Sequence, residues 1–352
     1  MDLDQFNYDL PDNLIGQTAI EPRDSCRLLV FNRHDGSINH RIFSDLVSIL
    51  DDSCVLVLND TKVFPARLFG KKYTGGKVQL LLLKQISPDT YTAIGTNLKK
   101  GNRVTFENSL EATILSKDDA GEMQVRFNCA GPDLWEKIDQ LGTTPLPHYI
   151  ASGEDETNLR DQYQTVYAKE RGSSAAPTAG LHFTNRLLSD LSKRGIQIEN
   201  VTLHVGLGTF RYPTQEQIKQ KTLHSEWGSI SPDTAARLSQ AKKQGKKIIT
   251  VGTTSCRLLE TMSDKSGKIS AGAGETDIFI QPGYQFKFVD GLITNFHLPK
   301  TSLLMLVSAL TTSSVSPTRL VNFSDSPIGL AYQEAIKEKY KFFSFGDAML
   351  II

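Results

Sequence analysis

The sequence offers no pair of cysteines placed to act together. Its four cysteines, Cys26, Cys54, Cys129 and Cys256, are far apart and show no CxxC spacing. A cysteine zinc site or a disulfide framework is therefore not expected, and a reducing cytoplasm is the default compartment. HxH and HExxH spacings are missing too, so no metal is expected. No window approaches 18 uninterrupted apolar residues, and the acidic opening MDLDQFNYDL lacks an apolar core. Neither a membrane span nor a signal peptide is predicted. Formal net charge is zero, which removes any argument from overall basicity. What remains is an ordinary soluble composition, 39% hydrophobic and 22% charged, over 352 residues. That length suits two domains or one domain with a large insertion.

The chain is organised around Ser173 to Thr184, SSAAPTAGLHFT. Pro177 and Gly180 bracket a tight turn, Thr184 is placed to cap a helix from Asn185 to Lys193, and Gly195 follows where that helix should stop. The loop carries His182 to the start of the helix. Before it, the apolar runs Leu28–Phe31 and Cys54–Leu58 predict strands, the second buried on both faces of a parallel sheet and ending in Asn59-Asp60-Thr61-Lys62. After it, Ile196–Val205, Lys246–Val251 and Leu292–Leu298 predict further strands. They open into Gly206-Leu-Gly208-Thr209, Gly252-Thr253-Thr254-Ser255 and Pro299-Lys300-Thr301. Helices are expected at about 45–50, 256–262, 302–310 and 328–339, the second and third with hydroxyl caps.

Between Val63 and Ile150 the texture is different. Six short β-like segments alternate with turn signals, predicting a small barrel or sandwich. The fold class expected is α/β, a catalytic α/β domain (1–62 and 151–352) with an inserted small antiparallel β-barrel domain (63–150). From Lys62 to Arg103 nine Lys or Arg face one acid, Asp89, whereas 104–160 carries eleven acids against four bases. A basic β module of this kind suits a phosphate-backbone partner.

His182, His204, His224 and His297 all fall at predicted loops or strand ends, where imidazole is suited to proton transfer. Glu226, Asp277 and Asp347 are the carboxylates expected nearest these loops. The Gly206-Leu-Gly208 stretch fails the dinucleotide fingerprint because Arg211 stands at its third glycine. It keeps the form of a backbone-amide loop for an anionic or polar group. On residues alone, this reads as an α/β enzyme acting on a nucleic acid by a reaction left open.

In combination, RDSCRLLV (23–30), LVLNDTKVFPARLFG (56–70), YQTVYA (163–168), AAPTAGLHFT (175–184), LHVGLGTFR (203–211), LHSEW (223–227), VGTTSCRLLE (251–260), TDIFIQPGY (276–284), TNFHLPK (294–300) and FFSFGDAML (342–350) resemble one family. It is the S-adenosylmethionine:tRNA ribosyltransferase-isomerase family of queuosine biosynthesis, and the resemblance covers essentially the whole chain. It implies transfer and isomerisation of the ribosyl part of S-adenosylmethionine onto 7-aminomethyl-7-deazaguanine at the tRNA wobble position. The products are epoxyqueuosine, adenine and methionine. No cofactor beyond that co-substrate is implied, and a cytoplasmic monomer is expected.

The sulfonium acidifies the adjacent 5′ C–H, so a base is needed. His182 is expected in that role, with His204 or His224 as alternatives, and Glu226 or Asp277 beside the departing adenine. Substrate contacts are expected from Asn59, Asp60, Thr178, Gly180, Gly206, Gly208, Thr209, Thr253, Thr254, Asp277, Asn295 and His297. Lys62, Arg67, Lys71, Lys72 and Lys77 are expected to dock the tRNA. The chain departs from the family pattern at Gln79, where a glutamate is usual, and at Thr144, His148, Cys26, Cys256 and the Thr301-Ser302 order. Thr144 stands where an acid is usual, and all of these but Gln79 read as packing or surface changes; Gln79 loses a charge. The alternatives are an S-adenosylmethionine-dependent tRNA methyltransferase, separable by its products, and a non-catalytic RNA-binding module.

Overall fold

A computed structural model describes residues 2–147, 149–150, 155–206, 212–312 and 322–352. Among these residues the chain forms a nine-stranded mixed sheet, a closed six-stranded barrel and a two-stranded parallel ribbon. The strand Cys54–Asn59 is buried at every position and pairs in parallel with Gln197–Leu203 and Lys247–Val251. Its alternation splits the core, because side chains of a strand point to opposite faces. Val55 and Val57 join one apolar cluster with Leu203, Leu258 and Met305, while Leu56 and Leu58 join another with Phe183, Leu187 and Leu191. Each such burial is worth roughly 1.5–3 kcal/mol.

The sheet order runs Gly272–Ile278, Thr222–Ile230, Gln197–Leu203, Cys54–Asn59, Lys247–Val251, Gly291–Asn295, Ala348–Ile351, Arg27–Phe31 and Ile38–Ile42. Gly291–Asn295 is parallel to Lys247–Val251. Leu203, Asn59, Val251 and Asn295 thus end four co-directional strands on one rim, where open α/β sheets place ligands. The apolar tail is itself a strand. Ala348–Ile351 lies antiparallel to Gly291–Asn295 and parallel to Arg27–Phe31, tying the two ends of the chain into one sheet.

The barrel consists of Arg67–Lys72, Lys77–Ser87, Thr90–Gly95, Arg103–Thr105, Glu111–Lys117 and Glu122–Phe127, all antiparallel and closed by the last two. Its core includes Leu68, Leu80, Leu82, Val104, Ile114 and Val125. All six expected segments are strands. The insert is not wholly β, however, since Gly131–Leu141 is a helix that presses Leu134 and Ile138 into the barrel core. Those two lie one turn apart, and Pro132 opens the helix, so the 3.6-residue period was legible there.

Three further expectations change. His224, expected at a loop or strand end, lies within the strand Thr222–Ile230, which pairs with Gly272–Ile278. Pro232–Lys243 is an additional helix, capped by Ser231. The helix expected from Cys256 already begins at Gly252. Its N-cap is Val251, which has no side-chain cap, so the expected hydroxyl cap is absent. By contrast, Thr184 caps Asn185–Lys193 as expected, its hydroxyl accepting from the Leu187 N–H at 3.1 Å. Thr301 accepts from the Leu304 N–H at 3.3 Å in the same manner.

Candidate active site

The rim formed by the four strand ends opens into a narrow chamber of about 50 Å³. Its walls include Thr178 and Ala179 from the Ser173–Thr184 stretch and Gly252, Thr253 and Thr254 from a helix start. Thr294–Leu298 and Phe343-Ser344 complete it. Phe343 holds φ at 71°, a left-handed value that costs a bulky residue energy and recurs where function over-determines the backbone. The Phe343 carbonyl accepts from Asn295 Nδ2 at 3.1 Å. Asn295 Oδ1 accepts from the Thr178 hydroxyl at 3.1 Å, so one amide joins three segments of the wall.

His182 is not part of that wall. Asn295 Nδ2 donates to its Nε2 at 2.9 Å, which places the ring proton on Nδ1, 3.2 Å from Cys26 Sγ. Phe43 packs against the ring with centroids 5.2 Å apart. Burial, reinforced by Arg23, pushes the imidazole pKa down to about 4. Both nitrogens are engaged, and the ring reaches neither the chamber nor the cleft described below. The side chain expected as the base therefore ties the turn to the sheet, and Cys26 is part of that tie. His297 does line the chamber. Its ring bonds the Thr294 hydroxyl through Nε2 at 2.8 Å, and burial pushes its pKa down to about 3.

These two histidines set a pH dependence of stability. Their folded-state values lie below the unfolded value near 6.5, so the unfolded chain takes up protons that the native chain refuses. The stability they contribute is complete above about pH 6.5 and declines as pH falls toward 4. At pH 5 each contributes about 2 kcal/mol less than at pH 7 by this linkage. Melting temperatures at pH 7 and pH 5 are expected to show that fall, and to show less of it in His297→Gln. Equal slopes in wild type and variant would exclude His297 from the effect.

A second cavity, a cleft of about 610 Å³, separates the barrel from the sheet edge. The barrel side contributes Phe64, Leu83, Lys84, Tyr91 and Trp135. The sheet side contributes Arg171, Gly172, His204, Val205, Gly206 and the run His224–Trp227. Val205 belongs to both cavities, so they adjoin at the end of the strand Gln197–Leu203. Lys84 forms an ion pair with Glu275, which also accepts from the Ser225 hydroxyl at 2.5 Å, linking barrel and sheet edge.

His204 is the histidine built into this junction. Its ring stacks on Trp227 with centroids 5.0 Å apart and an interplanar angle of 21°. Nδ1 lies 2.9 Å from Thr61 Oγ1, which in turn meets Ser173 Oγ at 2.7 Å and the Glu170 carbonyl at 3.4 Å. With Ser173 donating to Thr61 and Thr61 donating to that carbonyl, Nδ1 carries the proton and Nε2 keeps its lone pair. Burial lowers the pKa, partly offset by Glu170, favouring the neutral ring. Gly172 lies against the ring so closely that a Cβ there would sit 2.4 Å from Nε2.

Glu226 is buried beside the cleft, forms an ion pair with Arg257 and accepts the Gly206 N–H at 3.0 Å. The Gly206 amide, expected to hold substrate, thus holds Glu226. Gly208 and Thr209 lie outside the described residues. His224 lines the cleft and is exposed. Asp277 is exposed on the edge strand and lines neither cavity.

Asn59 spends its whole amide on the protein. Nδ2 donates to the Leu203 carbonyl and Thr254 Oγ1, while Oδ1 accepts from the N–H groups of Leu203 and Thr61. Asp60 accepts from the Thr202 hydroxyl at 2.7 Å and also lies outside both walls, with burial raising its pKa. Gly180 is required by packing, since a Cβ there would fall 2.0 Å from the Tyr167 hydroxyl.

Lys62 is exposed on the two-stranded ribbon rather than the barrel, whereas on the barrel Lys71 and Lys77 are exposed and Lys72 is half-buried. Lys71 and Lys77 are direct cross-strand partners. Arg67 differs, for its guanidinium donates to the Leu146 carbonyl at 2.8 Å and burial lowers its pKa. Gln79 pairs across from Phe69 and lies two residues from Lys77 on the same face, so an uncharged side chain stands beside those lysines where a carboxylate is usual. Among the described residues no cluster of three or more His, Cys, Asp or Glu could hold a metal, and no helix is long and apolar enough to cross a membrane. The residues that sequence reasoning missed are Tyr91, Trp135, Arg171, Gly172, Trp227 and Arg257. Trp227 and Arg257 stand inside the quoted strings LHSEW and VGTTSCRLLE, the only signal they gave.

The profile of the queuosine biosynthesis proteins matches residues 3–351. The chain is also similar to a solved crystal structure, an S-adenosylmethionine tRNA ribosyltransferase from Thermotoga maritima. The two share 32% sequence identity over 99% of this chain and 100% of the other, with a TM-score of 0.54.

Proposed function

Because this chain belongs to the queuosine biosynthesis protein family, we propose that it is an S-adenosylmethionine tRNA ribosyltransferase-isomerase whose chemistry takes place where the cleft meets the strand-end chamber. The ribosyl group of S-adenosylmethionine passes to the aminomethyl nitrogen of 7-aminomethyl-7-deazaguanine in tRNA and is rearranged to the epoxycyclopentanediol of epoxyqueuosine. Methionine leaves as the thioether and adenine as the free base, with no net redox change. The observation that carries this reading is the placement of His204. Its Nε2 lone pair, its low pKa and its support from Thr61 and Trp227 suit the base that removes the acidic 5′ proton. The cleft volume falls within the range of small-molecule sites, whereas the chamber has room only for a small group such as a carboxylate. Thr253 and Thr254 stand there at a helix start, where backbone N–H groups favour anions. Adenine release that requires both S-adenosylmethionine and the modified-base tRNA tests the reading.

The segment 63–150 is proposed as the tRNA-docking insert, and the enzyme as a cytoplasmic one. Lys71→Ala/Lys77→Ala is expected to weaken tRNA binding and flatten its salt dependence. Log Kd against log salt should lose about 0.7–0.9 in slope for each phosphate contact removed. S-adenosylmethionine binding should not change. Arg67→Ala should instead lower the melting temperature, because it removes the partner of the Leu146 carbonyl. An unchanged salt slope in the double lysine variant would place the docking face elsewhere.

A further inference from the structure

The barrel side of the cleft carries a hydroxyl that the ribosyl-transfer account leaves unused. Tyr91 is 1% exposed and lines the cleft. Its ring is held edge-on against Trp135 at 5.7 Å and Phe127 at 6.1 Å, and tilted against Phe64 at 6.3 Å. Its hydroxyl is buried and has no hydrogen-bond partner. The nearby Arg171 and Asp139 do not serve it, since they bond each other through both guanidinium nitrogens and both carboxylate oxygens. A buried hydroxyl left unpaired costs about 1–3 kcal/mol. Phenylalanine would fill the same cage without that cost.

We propose that the Tyr91 hydroxyl is a ligand group of the cleft, bonding the polar edge of a purine-type base that lies between the barrel and the strand Thr222–Ile230. The walls fit a flat heteroaromatic ring. Phe64, Tyr91 and Trp135 stand on one side, and the stacked His204–Trp227 pair on the other. Arg171 covers the Trp135 face at 4.1 Å, adding a cation to the wall. The assignment rests on the proposed function, under which two ligands carry such a base: the deazaguanine of the tRNA and the adenine of S-adenosylmethionine.

Tyr91→Phe tests it, with KM for each substrate, kcat and melting temperature measured against wild type. The expected result is a rise of about tenfold in one KM, a smaller change in kcat and an equal or higher melting temperature. A raised KM for tRNA identifies the deazaguanine as the ligand, and a raised KM for S-adenosylmethionine identifies the adenine. Unchanged KM values, whatever happens to the melting temperature, overturn the proposal. So does a variant that fails to fold, because the hydroxyl would then have a partner within the protein. If wild type releases no adenine from these substrates, the functional reading fails instead. Equilibrium binding of S-adenosylmethionine and of the tRNA to wild type and Tyr91→Phe then decides the hydroxyl's role separately.

Discussion

His204→Gln is expected to lower adenine release by about 10²–10⁴-fold, the usual contribution of a positioned general base. S-adenosylmethionine binding and the melting temperature should stay near wild type. The glutamine can still donate toward Thr61, so the Thr61–Ser173 link that takes the Val205 N–H at 2.7 Å survives. What it cannot do is accept a proton at the Nε2 position. Gly172→Ala should reproduce part of the loss by displacing the ring, since the added Cβ would sit 2.4 Å from Nε2. The wild-type rate should fall on the acid side at a pH below 6.5, because burial holds His204 neutral to lower pH than a free imidazole. The contrast is His182→Gln. That change removes the bond to Asn295 and the contact with Cys26, so its main effect should be on melting temperature. A stable, S-adenosylmethionine-binding His182→Gln that releases no adenine, beside an active His204→Gln, would return the base to His182.

The second large effect concerns Glu226 and Arg257, both buried below the cleft. Glu226→Ala removes the acceptor of the Gly206 N–H and leaves an uncompensated buried guanidinium, which costs about 3–5 kcal/mol. For a chain of this size that should lower the melting temperature by roughly 4–7 °C. KM for at least one substrate should also rise, because Gly206 is anchored by its N–H bond to Glu226 Oε1. Removing both charges separates the two effects. Glu226→Met/Arg257→Met is expected to regain much of the stability, as apolar replacements of buried pairs often do, while the Gly206 anchor stays lost and KM stays high. Scanning calorimetry with steady-state kinetics reads both. A double variant as unstable as the single one would mean that the ion pair is not what the stability loss reports.

The parts of the fold that bury apolar side chains were legible in the sequence. Cys54–Asn59 is apolar at nearly every position because helices or loops cover both its faces, and the barrel strands alternate because one face is core. The strand Thr222–Ile230 was not legible. Two of its three buried positions are taken by Glu226 and Gly228, and Gly228 is needed because a Cβ would lie 2.7 Å from Leu258 Cδ1. A buried carboxylate with a buried arginine partner looks polar in sequence and therefore exposed. The same limit governed the site. Strand ends drew attention to His182, His204, His224 and His297, but sequence position does not say which ring faces a cavity. His182 points into Cys26, Phe43 and Asn295 instead. The cleft itself depends on the barrel packing against the sheet edge, so Tyr91, Trp135 and Arg171 come together from distant segments that carry no shared motif.

The most direct test of the account is one incubation of the purified protein with S-adenosylmethionine and tRNA carrying 7-aminomethyl-7-deazaguanine. Mass analysis of the anticodon nucleoside and assay of free adenine and methionine complete it. The account predicts epoxyqueuosine at the wobble position with adenine and methionine in equal amount. A methylated nucleoside accompanied by S-adenosylhomocysteine, or an unmodified base on a tRNA that nonetheless binds, would contradict it.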